Sequence, residues 1–176
     1  MRNRHPRIHR RVGAVAVLTL AATLLSGCAG LGPGPGGPGA DTDEPAGDER
    51  KGSAAVADLK QVPGVLDALV TSGPNGLPSQ IKLTTGVNLE VGYAGDLAAL
   101  LDYNLAQAWS VTVEEPTTVV SVGFLAGDTA VDLAPAAAEL GFAGSTGPGL
   151  DLSVDQMTEK YGPWPGPVPQ KPAALG

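Results

Sequence analysis

The chain has 176 residues, 43% of them hydrophobic and 4% aromatic, with 11 Lys and Arg against 18 Asp and Glu for a formal charge of −7. One cysteine excludes a disulfide framework, and both histidines and every arginine except Arg50 lie within the first eleven residues. The rest of the chain therefore lacks the Ser-His-Asp and Cys-His routes, the usual zinc and copper ligand sets, and, beyond Arg50, any arginine clamp on phosphate or carboxylate.

The N-terminus carries Arg2, Arg4, Arg7, Arg10 and Arg11 with no acid, then fourteen mostly apolar residues from Val12 to Leu25. That run is too short to span a bilayer as a mature helix, which argues against an ordinary transmembrane anchor. It closes on Leu25-Ser26-Gly27-Cys28, where small residues let a processing peptidase reach the backbone and the thiol accepts a lipid. In these residues the chain resembles bacterial lipoproteins, whose box reads Leu, small, small, Cys. The resemblance covers residues 1–28. It implies cleavage between Gly27 and Cys28, a covalent diacylglycerol on Cys28 with an added amide-linked acyl chain, and a lipid-anchored protein on the cell membrane facing outside the cytoplasm. His9-Arg10-Arg11-Val12 leaves twin-arginine export open beside the general route, with Gly13 and Ala14 standing where an apolar pair usually follows.

Without residues 1–27 the chain holds six basic and 18 acidic side chains, a formal −12. Such a surface repels nucleic acid and anionic headgroups, so the expected attachment is the lipid itself, at about 0.8 kcal/mol per buried methylene. Residues 28–53 then read as an acidic, Gly/Pro-rich tether that includes Arg50. Twenty-five such residues span about 25–30 Å. Gly34, Gly36 and Gly39 match a dinucleotide-binding spacing, but no apolar strand precedes them. Asp41-Thr42-Asp43 opens like a calcium loop, yet Pro45, Ala46 and Gly52 stand where an oxygen ligand, a glycine and a glutamate are needed. Both are solvated tether.

The folded domain is expected over residues 54–162. Ser53 is placed as the N-cap of a short helix with Val56 and Leu59 inward, ended by Pro63-Gly64. Val65 to Ser72 reads as a strand and Gly73 to Pro78 as the loop that returns the chain. In the next segment Ile81, Leu83, Thr85, Val87, Leu89, Val91 and Tyr93 share one parity, the sign of a half-buried strand, with Gly86 marking a bulge or break. Asp96 caps a helix whose Leu97, Leu100, Leu101, Leu105, Ala108 and Trp109 form one stripe, with Trp109 in the core. Thr118, Val120, Val122 and Phe124 define an interior strand, and Gly127-Asp128 a turn. Leu133 to Leu140 is a short helix with Pro135 in its first turn and Gly141 at its end, followed by a loop from 144 to 149. Ser153 with Gln156 is a capping box that opens a last helix to Tyr161, and residues 163–176 form an extended Pro-rich tail.

The order helix, strand, strand, helix, strand predicts an α+β fold, an antiparallel sheet of three to four strands packed on one face by helices. Val62-Pro63-Gly64-Val65, a helix followed by a Pro-Gly-Val entry to a strand, resembles the BON-type module of bacterial envelope proteins. A ferredoxin-like sandwich is the rival arrangement.

No arrangement of side chains asks for catalysis. Glu114 and Glu115 point to opposite sides of an extended chain, and Asp128 and Asp132 suit turn and cap roles. Tyr161 and Trp164, among the prolines of residues 161–169, are the candidate binding residues: a polyproline II segment orders cheaply on a partner, and its aromatics stack on a sugar or fill a groove. The competing arrangement has Trp164 packed back on the domain. The sequence thus suggests a non-catalytic binding or accessory domain with an envelope protein or glycan as partner, no nucleic acid, no metal and no cofactor besides the lipid. Its alternatives are a carboxylate-dependent hydrolase of envelope glycan and a carrier of an apolar ligand held between sheet and helices.

Overall fold

The computed structural model describes residues 49–142 and 147–176. The predicted leader, its Leu25-Ser26-Gly27-Cys28 box and the tether up to residue 48 lie outside the described residues. No helix among the described residues is long and apolar enough to cross a membrane.

The fold is α+β. Helix α1, Gly52–Leu59, leads to the strands β1, Val65–Asn75, and β2, Leu77–Leu89. Helix α2, Leu97–Trp109, precedes β3, Val119–Ala126, which turns into the two-residue β4, Thr129–Ala130. Then come α3, Ala134–Glu139, β5, Gly149–Ser153, and α4, Val154–Tyr161, and a 3-10 turn, Ala173–Leu175, ends the chain.

The sheet is mixed. β1 pairs antiparallel with β2, and β3 antiparallel with both β4 and β5, but β2 and β3 run parallel from Leu83↔Val120 to Leu89↔Ala126. This corrects the all-antiparallel expectation. A parallel neighbour needs a crossover of a dozen residues or more, and the segment between Leu89 and Val119, with α2 inside it, is that crossover. A fifth strand is also present, because β5 runs from the last residue of the loop read at 144–149 to the Ser153 cap of α4, a stretch to which no element was assigned.

Alternation does most of the building. On β2 the buried side chains are Leu83, Thr85, Val87 and Leu89, on β3 Val120, Val122 and Phe124, and on β5 Leu150 and Leu152, all of one parity and all under the helices. Leu100, Leu101, Leu105, Ala108 and Trp109 of α2 are fully buried against them, as the helical stripe predicts. Asp96 accepts a hydrogen bond from Ala99 N at 2.9 Å, and Ser153 and Gln156 complete the capping box of α4. Val91 departs from the pattern: β2 ends at Leu89, and Val91 is 84% exposed in the turn that follows.

Three local expectations change. The N-cap of α1 is Lys51, not Ser53. Residues 73–78 are the tip of a hairpin, with Asn75 and Leu77 paired around Gly76 at φ 86. Its prolines are tolerated because β3 begins pairing with β2 only at Leu83, so the ribbon tip has free edges. Arg50, assigned to the tether, belongs to the folded body. Its guanidinium donates to Asp58 Oδ2 and Gln107 Oε1 at 2.6 Å each and to Ser110 Oγ, and its side chain is 10% exposed. The chain before α1 is also tied to the loop after α2 by Arg50 N–H donating to Thr112 Oγ1 at 2.8 Å.

Candidate functional site: the open face of the sheet

Among the described residues the helices cover one face of the sheet and leave the other bare. Register arranges the bare-face residues in rows across the strands. One row runs Leu69, Gly86, Gly123, Gly149 through β1, β2, β3 and β5. The next runs Thr71, Thr84, Ser121, Asp151, with the Ser121 hydroxyl donating to Asp151. On the other side lie Asp67, Asn88, Leu125 and Ala130. Three glycines side by side leave a trough of about 580 Å³, with Leu69 and Leu125 on its walls at 52% and 42% exposure.

The glycines differ in why they are there. A Cβ on Gly86 would sit 2.2 Å from Gly123 O, so that position is a close approach of two backbones and not the predicted bulge or break. Gly123 has open space above it and Gly149 only Val122 O at 3.5 Å, and neither has a positive φ. Packing does not demand glycine at either place, although a strand glycine costs about 0.5–1 kcal/mol relative to alanine. Their effect is to keep the floor of the trough empty.

The face is electrically balanced. Residues 49–176 hold six basic and fourteen acidic side chains, a formal −8. The bare face carries Asp67, Asp151 and Lys82, and Lys60 reaches Asp67 at 3.2 Å, so its charges cancel. That lysine, by hydrogen bond and charge, holds the Asp67 carboxyl below its ordinary value. Asp67 and Asp151 stand three strands and four residues apart, about 19 Å by standard sheet spacings. The two carboxylates of a glycosidase lie within about 10 Å.

The residues singled out from the sequence lie elsewhere. The Tyr161 hydroxyl donates to Asp102 Oδ1 at 3.0 Å, and burial, then the Asp102 charge, pushes its pKa far up. Lys160 donates to Leu140 O at 3.1 Å, lies 3.6 Å from Asp102, and faces the rings of Phe142 and Tyr161. Trp164 is half-buried against the core. Beside it the tail is bound through Trp109 Nε1 donating to Gly162 O at 3.0 Å and Gly166 N donating to Trp109 O at 3.1 Å. A cleft of about 300 Å³ remains between α2, Tyr161 and the prolines, but Trp164 does not line it. The tail is not extended to its end either, since Leu175 is buried in the 3-10 turn.

Glu114, Glu115 and Asp128 are exposed, and Asp132 Oδ1 accepts from Ala134 N at 3.0 Å at the start of α3. Among the described residues no three His, Cys, Asp or Glu side chains group as they would to hold a metal ion. The trough escaped the sequence reading because its glycines are 37 and 26 residues apart in the chain. The available signal was that Gly86 and Gly123 both fall on the wet parity of their strands. Compared with protein-family models, with curated proteins and with solved structures, the chain matches none.

Proposed function

We propose that this protein is an exported, lipid-anchored accessory module that binds through the bare face of its sheet and catalyses nothing. The observation that carries the reading is Gly123: a central strand position with room for a side chain, no backbone need for glycine, and a trough that any side chain would fill. The face has exposed leucines, a row of hydroxyls and cancelling charges. Those suit contact with an uncharged or mixed surface better than capture of an anion. The one arginine of the folded body is committed to protein acceptors, which leaves none to clamp a substrate. For a carrier of apolar ligands, the open face offers about 580 Å³, against about 160 Å³ in the cleft where Gly52 of α1 meets Val70 and Leu83 of the sheet.

Anchoring rests on Leu25-Ser26-Gly27-Cys28. Mass spectrometry of the membrane fraction should find a chain that starts at an acylated Cys28, and Cys28→Ser should leave that fraction; normal membrane recovery of the variant contradicts the anchor. Binding is tested by a photo-crosslinking residue in place of the exposed Leu125 on the wall of the trough in intact cells, with one at the exposed Ala138 of α3 as control. The reading expects adducts at 125 and few at 138. Equal yields, or none at 125, overturn it.

A further inference from the structure

Two of the three rows on the bare face, those of Leu69 and of Thr71, are complementary to themselves under one symmetry operation, and we infer that this face pairs with the same face of a second copy of the chain. The inference rests on the binding reading above and names the partner. Consider a two-fold axis parallel to the strands and midway between β2 and β3. It lays β1 over β5 and β2 over β3 while keeping each row opposite itself. Leu69 of one copy then stands over Gly149 of the other, and Gly86 over Gly123, so an exposed leucine enters the end of each empty trough. In the adjoining row Thr71 meets Asp151, and Thr84 meets Ser121, a hydroxyl facing a carboxylate or another hydroxyl at each point. Contacts made once are made twice, as a closed isologous pair requires.

Charge selects this face from the rest of the surface. Two bodies of formal −8 repel in most orientations. The bare face is the place where Lys82 and Lys60 offset Asp67 and Asp151, so apposing it adds no net like charge. Its area argues for a weak pair. Four strands by about seven residues, at standard spacings, give roughly 400 Å² per copy and about 800 Å² in all, below the roughly 1,200 Å² of stable pairs and in the range of transient ones. A weak pair depends on concentration, and two lipid anchors in one membrane supply it, since confinement brings tethered partners to an effective concentration in about the millimolar range.

The test uses the full chain carrying Cys28→Ser, so that no native thiol remains, with Leu69→Cys and Gly149→Cys together, at about millimolar concentration to stand in for the lost anchor. Within one copy these positions are three strand spacings apart, about 14 Å, beyond a short bismaleimide. Across the proposed pair they face each other. Gly73→Cys with Gly149→Cys is the control: position 73 has no neighbour for a Cβ within 4 Å, so it tolerates the change. In the pair it lies two rows, about 13 Å, from the facing Gly149.

The expected result is a covalent dimer from 69/149 and at least tenfold less from 73/149, with Gly123→Trp folding normally and weakening dimer sedimentation at least tenfold. Equal yields from both thiol pairs, no dimer from 69/149, or a monomer in sedimentation at the highest soluble concentration overturns the second copy as partner. Adducts at position 125 to a different envelope molecule, with no 69/149 dimer, overturn the pairing and leave the binding reading standing.

Discussion

Arg50 shows how one residue changes the meaning of a segment. In the sequence it sits among Asp48, Glu49 and Lys51, a charged stretch with no apolar periodicity, and nothing local distinguishes it from tether. In the fold its planar fork reaches acceptors that lie 8, 57 and 60 residues away. A charge buried among hydrogen-bonding partners is costly to remove from one side only, because Asp58 and the fully buried Gln107 are then left without it. Arg50→Ala is expected to destabilise by about 2–3 kcal/mol. Arg50→Lys should recover only part of that, since an ammonium cannot serve several acceptors in one plane. Thermal unfolding of fragments 49–176 and 54–176 provides the check: both fold, the longer one melting several degrees higher. Equal melting temperatures would mean that the arginine cluster contributes nothing.

At the scale of elements, what was legible is what is local. Asp96 caps α2 and Ser153-Gln156 opens α4 because capping is decided within four residues. The parity of β2 and β3 was legible because two-residue alternation against one core is written in each strand separately. The parallel pairing of β2 with β3 was not, since it depends on which edge of β2 the chain reaches after α2. β5 was missed because Gly149-Leu150-Asp151-Leu152-Ser153 has only two apolar residues, and β3 supplies the reason for it to be a strand.

The tail is the clearest case of an element read by composition alone. Prolines predict extension, and they deliver it, but Trp109 holds the segment through its indole N–H and its carbonyl, and Leu175 is 5% exposed. Compared with Trp164→Phe, whose emission comes from Trp109 alone, deletion of residues 163–176 should therefore uncover Trp109 and lower the melting temperature, with its fluorescence shifting to the red. Unchanged emission and melting would show that the tail is not part of the core.

For the whole molecule, all three tyrosines, Tyr93, Tyr103 and Tyr161, have pKa values raised above 10.0, chiefly by burial and in part by nearby carboxylates. Folding keeps each phenol neutral, so the native state retains protons that the unfolded chain gives up near pH 10. The stability they contribute is complete below about pH 10 and is lost as the pH rises toward the folded values. The Tyr161 phenolate should accordingly appear together with loss of structure above pH 10, not before it. Tyr161→Phe should lower stability at neutral pH by about 1 kcal/mol, through the lost bond to Asp102, and move the alkaline midpoint upward. Tyr161 phenolate forming well ahead of unfolding would show its ring to be more accessible than described.

On the proposed reading this two-layer body keeps one sheet face uncovered for binding, and Gly123 is glycine for contact and not for folding. Thermal unfolding of Gly123→Ala tests this most directly. With open space above it and no positive φ, the added methyl should leave the melting temperature unchanged or raise it, by up to about 1 kcal/mol of stability. Binding at the face should weaken in the same variant. A clear fall in melting temperature for Gly123→Ala would return the glycine to the fold and overturn the binding role of the face.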